Sequence, residues 1–174
     1  MKRLLFILLP ALLAPFAALA QSAPADPLGP VRRALAQART DTVRARYYWL
    51  ASEVVDGSDS IRYFAQRAIP LLTQAMPTAR GAARRRLLGL LGGAVNNLGV
   101  GYSNFGLIAR SEALFLRAAH LRQQGGDVRG QVESLLNLAL ALIRQRDYAG
   151  ALCYCQEGVR AGERVPAAHS VVAH

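Results

Sequence analysis

The strongest constraint on this chain is internal: it matches itself at a shift of forty residues. Asn97-Leu98-Gly99 falls on Asn137-Leu138-Ala139, Gly101 on Ala141 and Tyr102 on Leu142. Further along, Ile108 falls on Tyr148, Ala109 on Ala149, Ser111 on Ala151, Phe115 on Cys155 and Ala118 on Gly158. Few of these pairs are identical, but small residues meet small ones and large apolar residues meet large ones. Small positions let two helices approach closely, and large ones fill the groove beside them. A period of this length describes a supersecondary unit that cannot bury its apolar face alone, so neighbouring units must stack.

The punctuation between units is short. DGSD at 56–59, MPT at 76–78, NFG at 104–106, QGGD at 124–127 and RD at 146–147 divide the chain into segments of helical length. From Val31 onward helix formers dominate and no period-two alternation persists. The spacing predicts six main helices near 42–55, 58–75, 80–104, 107–123, 127–145 and 148–163, with a weak one at 30–39. Short connections between helices of similar length make them antiparallel neighbours, so the fold class is all-α.

Residues 96–121, NNLGVGYSNFGLIARSEALFLRAAHL, resemble a tetratricopeptide (TPR) unit. The first helix of that family carries a large apolar residue, a small one and an aromatic, here Leu98, Gly99 and Tyr102. The second carries small, aromatic and small residues, here Ser111, Phe115 and Ala118. Residues 137–158 repeat the pattern with Leu138, Ala139, Leu142, Tyr148, Ala151, Cys155 and Gly158. The forty-residue spacing is similar to that of the longer TPR variants of bacterial exported and signalling proteins. The resemblance implies antiparallel hairpins stacked as a short right-handed solenoid of about three repeats. The expected units lie near 42–75, 80–123 and 127–163, within a domain spanning 31–165. The first unit fits loosely, and RGAARRRLLGLLGGAV at 80–95 places roughly two extra helical turns before Asn96.

In such a stack the first helix of each repeat lines a concave face suited to extended or helical peptides. That register puts Asn96, Asn97, Val100, Ser103 and Asn104 on the face, followed by Glu133, Leu136, Asn137, Leu140 and Arg144. The groove candidates are Asn97, Val100, Asn104, Asn137, Leu140 and Arg144. An asparagine amide donates and accepts, so it suits a peptide backbone. The resemblance implies that role for Asn97 and Asn137. The alternative is that both satisfy neighbouring helix groups inside the stack. Tyr47-Tyr48-Trp49 reads as core or capping surface of the first hairpin, or else as partner contact. Arg84-Arg85-Arg86 spread over about 200° of a helix, so they cannot all face one partner. They read as a solvated face, or as a patch for an acidic partner or phospholipid.

The first twenty residues read as a secretory signal. Lys2 and Arg3 precede an apolar run, and Ala18-Leu19-Ala20 is a small-x-small cleavage site. Pro10 and Pro15 interrupt the run, which argues against a retained anchor. Residues 21–30 read as a flexible linker and 166–174 as a disordered tail. Export to the periplasm or beyond the cell is the expected localisation, with no membrane span after cleavage. The net charge is +10, and apart from Lys2 every strongly basic residue is arginine. Such a surface attracts nucleic acid, anionic membrane or acidic protein; export disfavours nucleic acid.

No enzyme is expected. The sequence has no H-E-x-x-H, G-x-S-x-G or phosphate-loop motif, and its histidines are His120, His169 and His174. No cofactor or metal is expected either. Cys153 and Cys155 point about 200° apart on a helix, so they do not bridge each other. They read as one buried and one peripheral thiol, or as a route to an intermolecular disulfide. The C-terminal VPAAHSVVAH lacks the polar cap that normally closes a repeat stack. Two expectations follow: self-association through the uncapped C-terminal hairpin, or a chain that is the input part of a longer membrane signalling protein such as a histidine kinase. The leading functional expectation is a scaffold that binds a peptide or protein in its groove.

Overall fold

The computed structural model describes residues 26–163, which form seven helices and no strand and are 84% helical. They are α1 Gly29–Gln37, α2 Asp41–Val54, α3 Ser58–Ala75, α4 Gly81–Asn104, α5 Ile108–Gly125, α6 Val128–Arg144 and α7 Tyr148–Glu163. The predicted helices lie within two residues of these limits. Helix α1 starts inside the segment expected to be linker, where Pro30 supplies a favourable first-turn φ and the Leu28 N–H donates to Asp26 Oδ1 at 3.0 Å. The signal segment 1–20, the first half of the linker and the tail 166–174 lie outside the described residues. Among the described residues no helix is long and apolar enough to cross a membrane.

Local chemistry starts and stops the helices. Thr40 accepts the Val43 N–H at the head of α2, and Asp127 accepts the Gly130 N–H at the head of α6. Three turns close alike. The N–H groups of Leu107, Asp127 and Asp147 bond to the carbonyls of Tyr102, Arg122 and Leu142. The residue before each is left-handed: Gly106 at φ +75°, Gly126 at +74° and Arg146 at +67°. Gly106 and Arg146 are related by the forty-residue shift.

Each helix from α2 to α7 packs on the next, as the short connections require. In addition α2 touches α4, and α4 touches α6, whereas α3, α5 and α7 make no such contacts with one another. Helix α4 is thus the hub. Its glycines admit long side chains from the helices around it. A methyl group at Gly92 would meet Arg122 Cγ of α5 at 2.6 Å, and one at Gly93 would meet Trp49 Nε1 of α2 at 2.6 Å. One at Gly99 would meet the Phe115 ring of α5 at 2.7 Å, and Gly101 lies under Arg62 of α3. These glycines are therefore close-packing points, with a named side chain at each.

The main core joins Ala45, Ala68, Leu72, Leu87, Leu91, Ala94, Val95 and Ala118, with Tyr48 and Trp49 packed against it. The aromatic cluster of α2 thus contributes to the core of the first hairpin. A second cluster, Phe115, Leu138 and Ala141, joins α5 to α6 with Val100, Ile108, Leu142 and Tyr154 around it.

Candidate functional site

The first helices of the three hairpins, α2, α4 and α6, lie side by side and carry a line of polar side chains. At its centre are Asn96 and Asn97, exposed by only 1% and 7%. The Asn97 amide donates to Ser52 Oγ at 2.9 Å and Glu53 Oε1 at 2.5 Å, both on α2. Asn96 donates to Glu133 Oε1 at 3.4 Å and accepts from the Asn137 amide at 3.1 Å, both on α6. The two asparagines therefore bolt α4 to the helices on either side. Burial without these partners would cost about 1–3 kcal/mol per group.

This geometry sorts the groove candidates. Asn97 has both amide hydrogens engaged inside the stack, so the peptide-gripping role drawn from the resemblance has no free donor there. Val100 is half-buried against the Phe115 cluster and is a packing residue. Asn137 is half-buried and uses its amide toward Asn96. Asn104, Leu140 and Arg144 are exposed, Leu140 by 57%. Arg144 donates to Ser103 Oγ at 2.6 Å across the α4–α6 seam. The face open to a partner thus lies toward the C-terminal ends of α4 and α6. Leu136, Leu140 and Ile143, all exposed, form one stripe of α6 there.

At the other end of the face sits Arg122, which is 5% exposed. Its NH1 donates to the Gly130 carbonyl at 2.7 Å, Ser134 Oγ at 3.0 Å and Glu133 Oε2 at 3.2 Å. Asp127 Oδ2 lies 3.8 Å from its Nε. A buried guanidinium needs such a set of acceptors to offset its lost hydration. Gly92 and Gly130 make room for it: a methyl group at Gly130 would meet Arg122 Nε at 2.6 Å. The sequence reading did not single out Arg122. The overlooked signal was a basic residue in the last turn of α5, followed by a Gly-Gly-Asp turn and another glycine.

The three consecutive arginines of α4 do separate. Arg84 donates to the Met76 carbonyl at 3.0 Å, whereas Arg85 and Arg86 line a cleft with Arg46, Trp49 and Arg122. Cys153 is exposed and Cys155 half-buried, both as free thiols. Neither is the buried thiol expected from the sequence, because α7 has a single packed neighbour, α6. Among the described residues no group of histidine, cysteine and carboxylate side chains is placed to hold a metal ion. Comparison with protein-family models, with curated proteins and with solved structures finds no match, so the functional reading rests on this geometry.

Proposed function

We propose that the chain is an exported, non-enzymatic helical-repeat scaffold of the tetratricopeptide kind, holding a peptide or protein segment along the face of α2, α4 and α6. The observation that carries this reading is the asymmetry of the stack. The first helices of the hairpins touch one another, whereas the second helices do not. A layer drawn closer together becomes the inner side of a curved array, and such inner surfaces receive extended or helical segments. The accessible part of that face combines Leu136, Leu140 and Ile143 with Arg144. It suits a segment with an apolar seam beside an acidic residue.

Pull-down from an envelope extract tests the reading, with wild type compared against Leu140→Asp plus Arg144→Ala. Both positions are exposed, so circular dichroism should be unchanged while partner recovery falls. Equal recovery by both proteins sinks the groove assignment. Export has its own test: mass spectrometry of the processed protein should place its first residue at Gln21.

A second reading, self-association, is favoured by one observation. Leu136, Leu140 and Ile143 occupy the positions that Asn96, Val100 and Ser103 hold one repeat earlier, where α6 covers them. Leu152 and Val159 on α7 extend the same uncovered end, exposed by 59% and 61%. A second copy of the chain would bury these side chains. Sizing chromatography of wild type and Leu152→Glu plus Val159→Glu, with and without reductant, discriminates: a monomer throughout rules it out.

A further inference from the structure

We infer that the cleft between α2, the first half of α4 and the α5–α6 turn binds an organic phosphate, at the end of the α2–α4–α6 face away from the Leu136, Leu140 and Ile143 stripe. The cleft has a volume of about 650 Å³ and is lined by Arg46 and Trp49 of α2, Arg85, Arg86 and Leu90 of α4, and Arg122 with Asp127 at the turn. Four guanidinium groups thus surround one carboxylate. Among the described residues, Arg46, Arg85 and Arg86 pair with no acidic side chain. Glu133 also pairs with Arg122 behind the wall, so the cleft carries an excess of two positive charges, which attracts a ligand with two or more negative charges.

Two further features point to an oxyanion. Arg122 is buried and fixed by Gly130, Glu133 and Ser134, so its charge is held in place at the wall. Its Nε and the Trp49 indole N–H are buried donors without a hydrogen-bond acceptor. Buried donors in native proteins are nearly always satisfied. Both residues line the cleft, where a bound oxyanion would offer the acceptor that these donors lack. Guanidinium forks match the spacing of phosphate oxygens, and arginine is the cleft's only cation. The cleft exceeds the size of a bare phosphate, and Trp49, Leu90 and Ala82 supply an apolar wall for the rest of the molecule. A phosphate head on a flat or apolar body fits this lining.

Trp49 is the single tryptophan of the chain, so its fluorescence reports on this cleft directly. Titration of the full chain with inorganic phosphate, a nucleoside monophosphate and a short-chain phosphatidic acid should give saturable changes in emission. The organic phosphates should bind more tightly than inorganic phosphate, and the order of the two names the body the wall accepts. Replacing Arg85 and Arg86 together by glutamine should weaken binding at least about tenfold, since each replacement removes a charged hydrogen bond to the phosphate. Arg84→Gln removes the neighbouring charge, which points away from the cleft, and should leave affinity unchanged. The three replaced arginines are exposed, so all variants should retain wild-type circular dichroism. Absence of saturable binding by any probe overturns the site. So does an equal loss in Arg84→Gln, which would mark unspecific attraction to a basic surface.

Discussion

The α4–α5 and α6–α7 hairpins follow one pattern at forty-residue spacing and yet end up in different surroundings. The first has neighbours on both sides: α2 and α3 before it, α6 after it. The second has α4 and α5 on one side, and no described helix on the other. Residues adjust accordingly. Phe115, exposed by 2%, fills the joint between α5 and α6, whereas its counterpart Cys155 is half-buried beside an open surface. Asn96 is sealed between helices, whereas its counterpart Leu136 is 46% exposed. Identical position in a repeat therefore does not mean identical burial. The position of the unit in the stack decides whether a side chain is core or surface.

The sharpest way to break the comparison is to empty both positions. Phe115→Ala should destabilise the protein by ~3–5 kcal/mol, because it leaves a cavity against Gly99, Leu138 and Ala141. Cys155→Ala should stay within about 1 kcal/mol, since that thiol is small and only half-buried. Thermal or urea unfolding of the two variants checks this, and equal losses would mean that α7 is covered after all.

The asparagines come next in size. Asn97→Ala strips α4 of its bonds to Ser52 and Glu53 and should cost about 1–3 kcal/mol. Asn137→Ala removes one bond from a half-buried side chain and should cost about 0.5–1.5 kcal/mol. If denaturant curves show Asn137 to be the more costly of the two, the assignment of Asn97 as the main bolt fails.

Helix limits and the repeat were legible in the sequence because both depend on short-range signals. The residues at 56–59, 104–106, 124–127 and 146–147 carry turn chemistry that acts locally, and the predicted boundaries follow it. The site was less legible. Asn97 was singled out as a groove residue, but the direction of its amide depends on Ser52 and Glu53, more than forty residues away.

The turns offer a finer comparison. Gly106 and Arg146 hold the same left-handed turn, but arginine pays for it with strain that glycine does not feel. Arg146→Gly should therefore stabilise the third hairpin by about 1 kcal/mol, and Gly106→Ala should destabilise the second by a similar amount. Opposite shifts in melting temperature are the expected result. The smallest effect should come from the exposed stripe. Leu140→Gln should change stability by less than about 0.5 kcal/mol, because the side chain is already mostly in water.

By itself the sequence determined the all-helical class, the places where helices begin and end, and the small residues where helices come close. Each of these follows from propensity, capping and spacing along the chain. Only the tertiary structure decided which side chain enters each glycine gap: Trp49 at Gly93, Arg122 at Gly92, Phe115 at Gly99 and Arg62 at Gly101. It alone turned Asn97 inward and brought Arg46, Arg85, Arg86 and Arg122 around one cleft. The reason is physical. Helix periodicity fixes a residue's angle about its own axis, but which neighbour it meets depends on how separate helices stack in space.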